Sequence, residues 1–193
     1  MRNIIMTMWV TLDGFVAGPD GEMNWMGEIN DEDNGPYQDQ FVSAADTLLL
    51  GCTTYESFAG SWPHVPNSPD APEGLKAYAR KLNEMRKIVF SKTLGNAEWN
   101  NSTVRREIIP DEITQLKQEP GSNIIIYGSA SLVQALASHN LIDRYQLLLY
   151  PIALGKGKPL FKDYTKLKLV NAITRPSGIV ELHYQPNEQA NAR

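Results

Sequence analysis

The chain has 193 residues, 42% of them hydrophobic and 21% charged, with a formal net charge of −4. That length suits one domain with a sizeable core. The acidic balance argues against a general nucleic-acid binder, which needs clustered Lys and Arg to meet phosphates. A single cysteine, Cys52, excludes an internal disulfide and a cysteine-rich metal knuckle. No apolar run approaches the ~20 residues of a membrane helix, and the short N-terminal run, broken by Thr7, lacks the make-up of a secretory signal. The expectation is a soluble, cytoplasmic protein.

Taken in chain order, residues 4–10 form a short, nearly continuous apolar run, the pattern of a strand covered on both faces. Residues 12–34, with Gly14, Gly18, Pro19, Gly21 and Gly27, predict a long irregular loop. A weak helical pattern covers about 37–45, a strand 47–50, and a short helix 54–58. Residues 60–71, with Pro63, Pro66 and Pro69, predict a second loop. Leu75, Tyr78, Leu82 and Met85 recur at helical steps after Pro72 and Glu73. Strands follow at 88–90 and 124–127, then a helix through Leu132, Val133 and Leu136, with Ser129 or Ser131 as N-cap and Asn140 near its end. A strand at 145–150 is followed by a half-exposed antiparallel hairpin, 167–173 and 179–184, across Arg175-Pro176-Ser177-Gly178. Strands interleaved with helices predict an α/β protein with a mainly parallel sheet and an antiparallel edge.

Three strand ends carry small residues, hydroxyls or a cation: Gly51-Cys52-Thr53-Thr54, Ser91-Lys92-Thr93 and Gly128-Ser129-Ala130-Ser131-Leu132. Ligands of open α/β sheets sit beyond the carboxyl ends of strands, and a glycine-led helix start suits a diphosphate. The same residues also read as ordinary strand-to-helix connections capped by Ser, which is the commoner case. Lys92 and Ser91 suit a phosphate, although a lone lysine is more often simply solvated. The loop from Thr11 to Trp25 combines apolar groups, carboxylates and glycines, and such a loop either covers a flat apolar ring or packs as an ordinary surface loop. His64, His139 and His183 follow no metal-ligand spacing, and neither a Walker loop nor a nucleophile elbow is present. Lys156, Lys158, Lys162, Lys166 and Lys168 read as a solvated face rather than a nucleic-acid site.

In order, six segments carry a resemblance. They are Thr11-Leu12-Asp13-Gly14-Phe15-Val16-Ala17 with Trp25, Leu50-Gly51-Cys52-Thr53-Thr54-Tyr55-Glu56, Ser91-Lys92-Thr93-Leu94, Tyr127-Gly128-Ser129-Ala130-Ser131-Leu132, Leu141-Ile142-Asp143-Arg144-Tyr145, and Tyr150-Pro151-Ile152-Ala153-Leu154-Gly155-Lys156-Gly157 closed by Leu160-Phe161. Together they resemble the dihydrofolate reductase-like fold and, more closely, the reductase domain of riboflavin biosynthesis (the RibD C-terminal domain family) in stand-alone form. The resemblance implies an α/β, three-layer fold with a central, mostly parallel eight-stranded sheet and an antiparallel C-terminal hairpin. One reductase domain spans residues 1–185 and a polar tail 186–193.

The resemblance also implies an NADPH-dependent reductase of a small heterocyclic or ribosylamino-pyrimidine-like substrate, similar to 5-amino-6-(5-phosphoribosylamino)uracil reductase, and a homodimer. Gly128, Ser129, Ala130, Ser131 and Leu132 then wrap the diphosphate. Gly51, Thr53 and Thr54, with Ser91 and Lys92, hold the adenosine side and its 2′-phosphate. Val10, Ala17 and the loop up to Trp25 flank the nicotinamide, with Asp13 and Trp25 as the catalytic candidates; Asp13 also reads as an Asp-Gly turn residue. Two positions depart from the pattern: Cys52 stands where relatives often carry Arg, and Met26-Gly27 follow Trp25 where dihydrofolate reductase has a carboxylate. The alternative is a non-catalytic nucleotide- or pterin-binding module on the same fold. The apolar run near residues 145–154 reads either as a sheet edge that forms a dimer contact or, equally well, as a run buried within the monomer.

Overall fold

All eight residues of β1 (Ile4–Thr11) are buried, as a continuous apolar run requires when helices cover both faces of its sheet. The computed structural model describes residues 1–30 and 34–187; residues 31–33 of the first loop and 188–193 of the tail lie outside them. Six strands run parallel: β1, β3 (Ala45–Gly51), β4 (Arg86–Phe90), β5 (Ser102–Arg105), β6 (Asn123–Tyr127) and β7 (Arg144–Tyr150). The hairpin strands β9 (Leu167–Thr174) and β10 (Val180–Pro186) complete an eight-stranded sheet of order β5-β4-β3-β6-β1-β7-β10-β9, with β10 antiparallel to both neighbours. A small separate ribbon joins β2 (Phe15–Ala17) to β8 (Lys158–Pro159).

Helices divide between the two faces. Residues of α1 (Asn34–Ser43), α2 (Cys52–Ser61) and α3 (Glu73–Glu84) pack one face, where Phe41, Tyr55, Tyr78 and Leu82 meet Ile5, Trp9, Leu48 and Tyr127. On the other, α4 (Pro110–Gln118) and α5 (Ala130–Ser138) set Ile113, Leu116, Leu132 and Val133 against Met6, Leu49 and Ile126. This is the expected three-layer, dihydrofolate reductase-like architecture. No helix among the described residues is long and apolar enough to cross a membrane.

The expected loops at 12–34 and 60–71 carry short elements, β2 and a 3-10 turn at Asn24–Glu28 in the first and a 3-10 turn at Val65–Asn67 in the second, and β8, β5 and α4 are further additions to the sequence reading. β5 alternates half-buried and exposed residues at the sheet edge, too short and polar to stand out. α4 opens on Pro110 with Asp111 and Glu112 in its first turn, a start favoured by the fixed proline φ and the helix dipole, but its apolar stripe is narrow. Of the two readings of residues 145–154, the sheet edge is corrected and burial within the monomer holds: β7 lies between β1 and β10, and the sheet edges are β5 and β9. The antiparallel return of β10 along β7 is what buries that run inside the sheet.

Lys87, in β4, is fully buried. Its Nζ donates to the carbonyls of Asn83, Met85 and Asn100 at 2.9, 2.8 and 3.0 Å and lies 4.3 Å from the Trp99 ring centroid. Burial pushes its pKa from 10.5 down to about 8. The unfolded chain therefore binds more protons than the folded one between these two values, and this lysine makes the protein more stable as pH rises through that window. The urea midpoint of the wild-type chain should climb relative to that of Lys87→Met between about pH 8 and pH 9.5. Parallel midpoints would show that another group titrates.

Candidate functional site

Because β5, β4, β3, β6, β1 and β7 are parallel, their carboxyl ends share one edge of the sheet. At that edge the adjacent strands β3 and β6 send their helices to opposite faces, α2 to one and α5 to the other. The divergence opens a crevice between the two strand ends, the place where open α/β sheets bind ligands.

Gly51 and Ser129 occupy the N-cap positions of α2 and α5, and neither helix has a side-chain capping bond. The first amides of both helices are thus left to a ligand or to water. Ser129 stands at the cap as expected, but its hydroxyl crosses the crevice instead of capping its own helix. Ser129 Oγ accepts the Gly51 N–H at 2.7 Å and lies 2.9 Å from Thr54 Oγ1. Gly128 and Ser129 both take positive φ, +64° and +59°, so the chain turns sharply between strand and helix. A Cβ on Gly51 would come within 2.5 Å of Ser129 Oγ, and one on Gly128 within 3.1 Å of Thr54 Oγ1. Thr53 and Ser131 lie exposed on the rim, and Ala130 is half-buried. Leu132 turns its side chain into the core and gives its N–H to the Ser129 carbonyl at 2.9 Å.

At the end of β4, Ser91 is buried, and its Oγ accepts the amides of Leu94 and Thr93 at 2.9 and 3.3 Å, turning the chain. Lys92 projects exposed from that turn. The end of β5 adds two cations that the sequence reading missed. Arg106 Nη1 donates to the carbonyls of Ser91 (3.2 Å) and Leu94 (2.5 Å), and Arg105 lies 3.8 Å from Glu112. The adjacent pair Arg105-Arg106 was visible; its partner, the short strand that carries it to this edge, was not.

Toward β1, the carboxyl ends of the strands carry aromatic rings. Trp9 and Tyr127 have centroids 5.4 Å apart, Phe58 lies 5.7 Å from Tyr127, and Tyr78 Oη donates to Tyr127 Oη at 3.3 Å. Burial holds the Tyr127 phenol well above its usual pKa, so it stays neutral. Trp25, 2% exposed, meets Tyr150 edge-on with centroids 5.2 Å apart. Its indole N–H is buried without an acceptor among the described residues, which a native structure rarely leaves without a water or ligand in compensation. Val10 and Ala17 are buried beside this end of the sheet.

Asp13 is exposed in the turn between β1 and β2. Its Oδ1 accepts the Thr11 hydroxyl at 2.6 Å and its Oδ2 the Gly155 N–H at 2.7 Å. The Thr11 hydroxyl, and then the Gly155 and Leu154 amides, hold its carboxyl below the usual range. A cavity of about 270 Å³ beneath Tyr145, Phe161 and Tyr164 lies at the far end of β7, away from these converged strand ends. Among the described residues no cluster of His, Cys, Asp or Glu could hold a metal ion.

Sheet, crevice and paired helix starts define a dihydrofolate reductase-like fold. A dihydrofolate reductase from Enterococcus faecalis, complexed with NADP(H), superposes with TM-score 0.61 at 14% identity, over 96% of this chain and 97% of that one. The family can be stated more closely: residues 2–180 match the RibD C-terminal domain, and the chain belongs to that family. It is similar to the uncharacterized protein YyaP of Bacillus subtilis, 35% identical over 189 residues and 96% of each chain. A solved structure named for riboflavin biosynthesis, from Shewanella sp. PV-4, superposes with TM-score 0.74 at 18% identity, over 97% of this chain and 100% of that one. The Thermotoga maritima diaminohydroxyphosphoribosylaminopyrimidine deaminase/5-amino-6-(5-phosphoribosylamino)uracil reductase gives TM-score 0.66 at 14% identity, over 96% of this chain and 57% of that one.

Ser129→Ala removes the hydroxyl that joins the two helix starts and should lower unfolding free energy by about 1–2 kcal/mol. The urea midpoint checks it, and an unchanged midpoint would mean that the bridge carries no load.

Proposed function

We propose that this chain is an NADPH-dependent reductase, passing hydride to a C=N or C=O group of a small heterocyclic or ribosylamino-pyrimidine-like substrate. The observation that carries this reading is the pair of uncapped helix starts at Gly51 and Ser129, joined by one hydroxyl and cleared of side chains by Gly51 and Gly128. Such a cradle fits a diphosphate, since backbone amides and helix dipoles both favour an anion. Membership of the RibD C-terminal domain family supports an oxidoreductase.

When bound, NADPH supplies the hydride chemistry itself. The chain's residues bind, orient and exclude water. Gly128, Ser129, Ala130 and Ser131 face the diphosphate; Gly51, Thr53 and Thr54 extend the seat toward the adenosine. Lys92 and Arg106, carried side by side at the ends of β4 and β5, supply the charge for a 2′-phosphate. That placement meets the absence of Arg at position 52, because a guanidinium suits phosphate whichever strand delivers it. Trp9, Tyr127 and Trp25, buried behind this end of the site, back it with apolar rings rather than line it. A cytoplasmic homodimer completes the reading.

The non-catalytic binding module remains as a second reading, supported by Cys52 at the usual Arg position and by Met26-Gly27 after Trp25. NADPH oxidation against a panel of pterins, pyrimidines and ribosylamino-pyrimidines separates the two: turnover supports the reductase, binding without turnover the module.

Calorimetry with NADPH and NADH tests the cofactor. Arg106→Ala should weaken NADPH roughly tenfold, the worth of a charge-assisted phosphate contact, and leave NADH almost unchanged. Cys52, half-buried at the first position of α2, should be shielded from alkylation by NADPH. No binding at millimolar NADPH, with no protection of Cys52, would defeat the proposal.

A further inference from the structure

The turn between β1 and β2 and the loop between β7 and β8 lie against each other. At one end the Leu12 N–H donates to the Ile152 carbonyl at 2.8 Å. At the other, Leu160 N–H meets the Gly14 carbonyl at 3.0 Å, and Phe15 pairs with Pro159. Gly157 sits so close that a Cβ there would fall 2.3 Å from the Ala17 carbonyl. Between these contacts both chains swing out to solvent, and Asp13 spans the gap. One carboxylate oxygen takes the Thr11 hydroxyl, which itself accepts the Phe15 N–H at 3.0 Å; the other takes the N–H of Gly155, a residue at φ +74°.

We propose that Asp13 is a positioning residue rather than a proton carrier: its carboxylate clasps the β1–β2 turn to the β7–β8 loop, so that the two close over the ring-binding end of the site as one unit. The inference rests on the reading of that end as the place of the nicotinamide and substrate. Both carboxylate oxygens are already engaged as acceptors, and the acid is charged at neutral pH because the Thr11 hydroxyl and the Gly155 and Leu154 amides favour the anion. A carboxylate so held is a poor proton donor and a good anchor. The geometry also makes Thr11 part of the clasp, since its hydroxyl receives from one loop and donates to the carboxylate that grips the other.

Hydrogen exchange on the full chain, with and without NADPH, tests the clasp without requiring turnover. In Asp13→Ala, amides of residues 12–17 and 153–157 should exchange faster together, by about tenfold, as loss of a charge-assisted bond predicts. Asp13→Asn should recover part of this protection, because its amide oxygen still accepts from Gly155. Thr11→Val, nearly isosteric, should loosen both loops in the same way. NADPH should still protect the starts of α2 and α5 in Asp13→Ala while failing to tighten the two loops. Loosening of one loop alone, or no rescue by Asn, would overturn the clasp. If NADPH protects nothing even in the wild-type chain, the cofactor reading fails while the coupled loosening still stands as its own result.

Discussion

The hydroxyl of Ser129 holds the two halves of the crevice together. It links the last amide of β3 to the first turn of α5, across strands whose helices leave for opposite faces. Divergence of the helices creates the opening, and this bridge spans it. The glycines follow from the same constraint. With Ser129 Oγ reaching so near, Gly51 has no space for a Cβ, and Gly128 takes the left-handed conformation that lets the chain turn into α5. Both helix starts then lack a side-chain cap.

Around that bridge the site grades from polar to aromatic. Toward β4 and β5 lie Lys92, Arg105 and Arg106, a local positive region on a chain whose net charge is −4. Fields act locally, so a few cations at the strand ends attract an anion although the whole molecule is acidic. Toward β1 and β7 lie Trp9, Tyr127, Trp25 and Tyr150, whose rings build the apolar end. One end is positive and the other is backed by apolar rings, the polarity that the proposed dinucleotide and heterocyclic substrate require. The proposed Asp13 clasp belongs to the aromatic end, where water exclusion would have most effect on the proposed hydride transfer.

Much of this was legible in the residues. The apolar runs of β1, β3, β4, β6 and β7 stand out because both their faces are buried, and Gly51 and Gly128 mark where two of them end. The Arg175-Pro176-Ser177-Gly178 turn announced the final hairpin. Arg106 was not legible as a neighbour of Lys92, since β5 is a four-residue edge strand whose polar alternation resembles a loop. The aromatic wall was equally hidden, since Trp9, Phe58, Tyr127 and Tyr78 are scattered along the chain.

Local order therefore determined the elements, their rhythm and the family, because burial imposes a readable periodicity on strands and helices. Tertiary structure alone decided which strands became neighbours. It placed β7 in the interior rather than at a sheet edge, since the antiparallel return of β10 covers it. It also brought Ser129 to Gly51, Arg106 to Ser91 and Asp13 to Gly155, contacts spanning 78, 15 and 142 residues. A hydroxyl, a guanidinium or a carboxylate carries no mark of its distant partner in its own sequence neighbourhood; only the register of the sheet and the closure of the loops supply it.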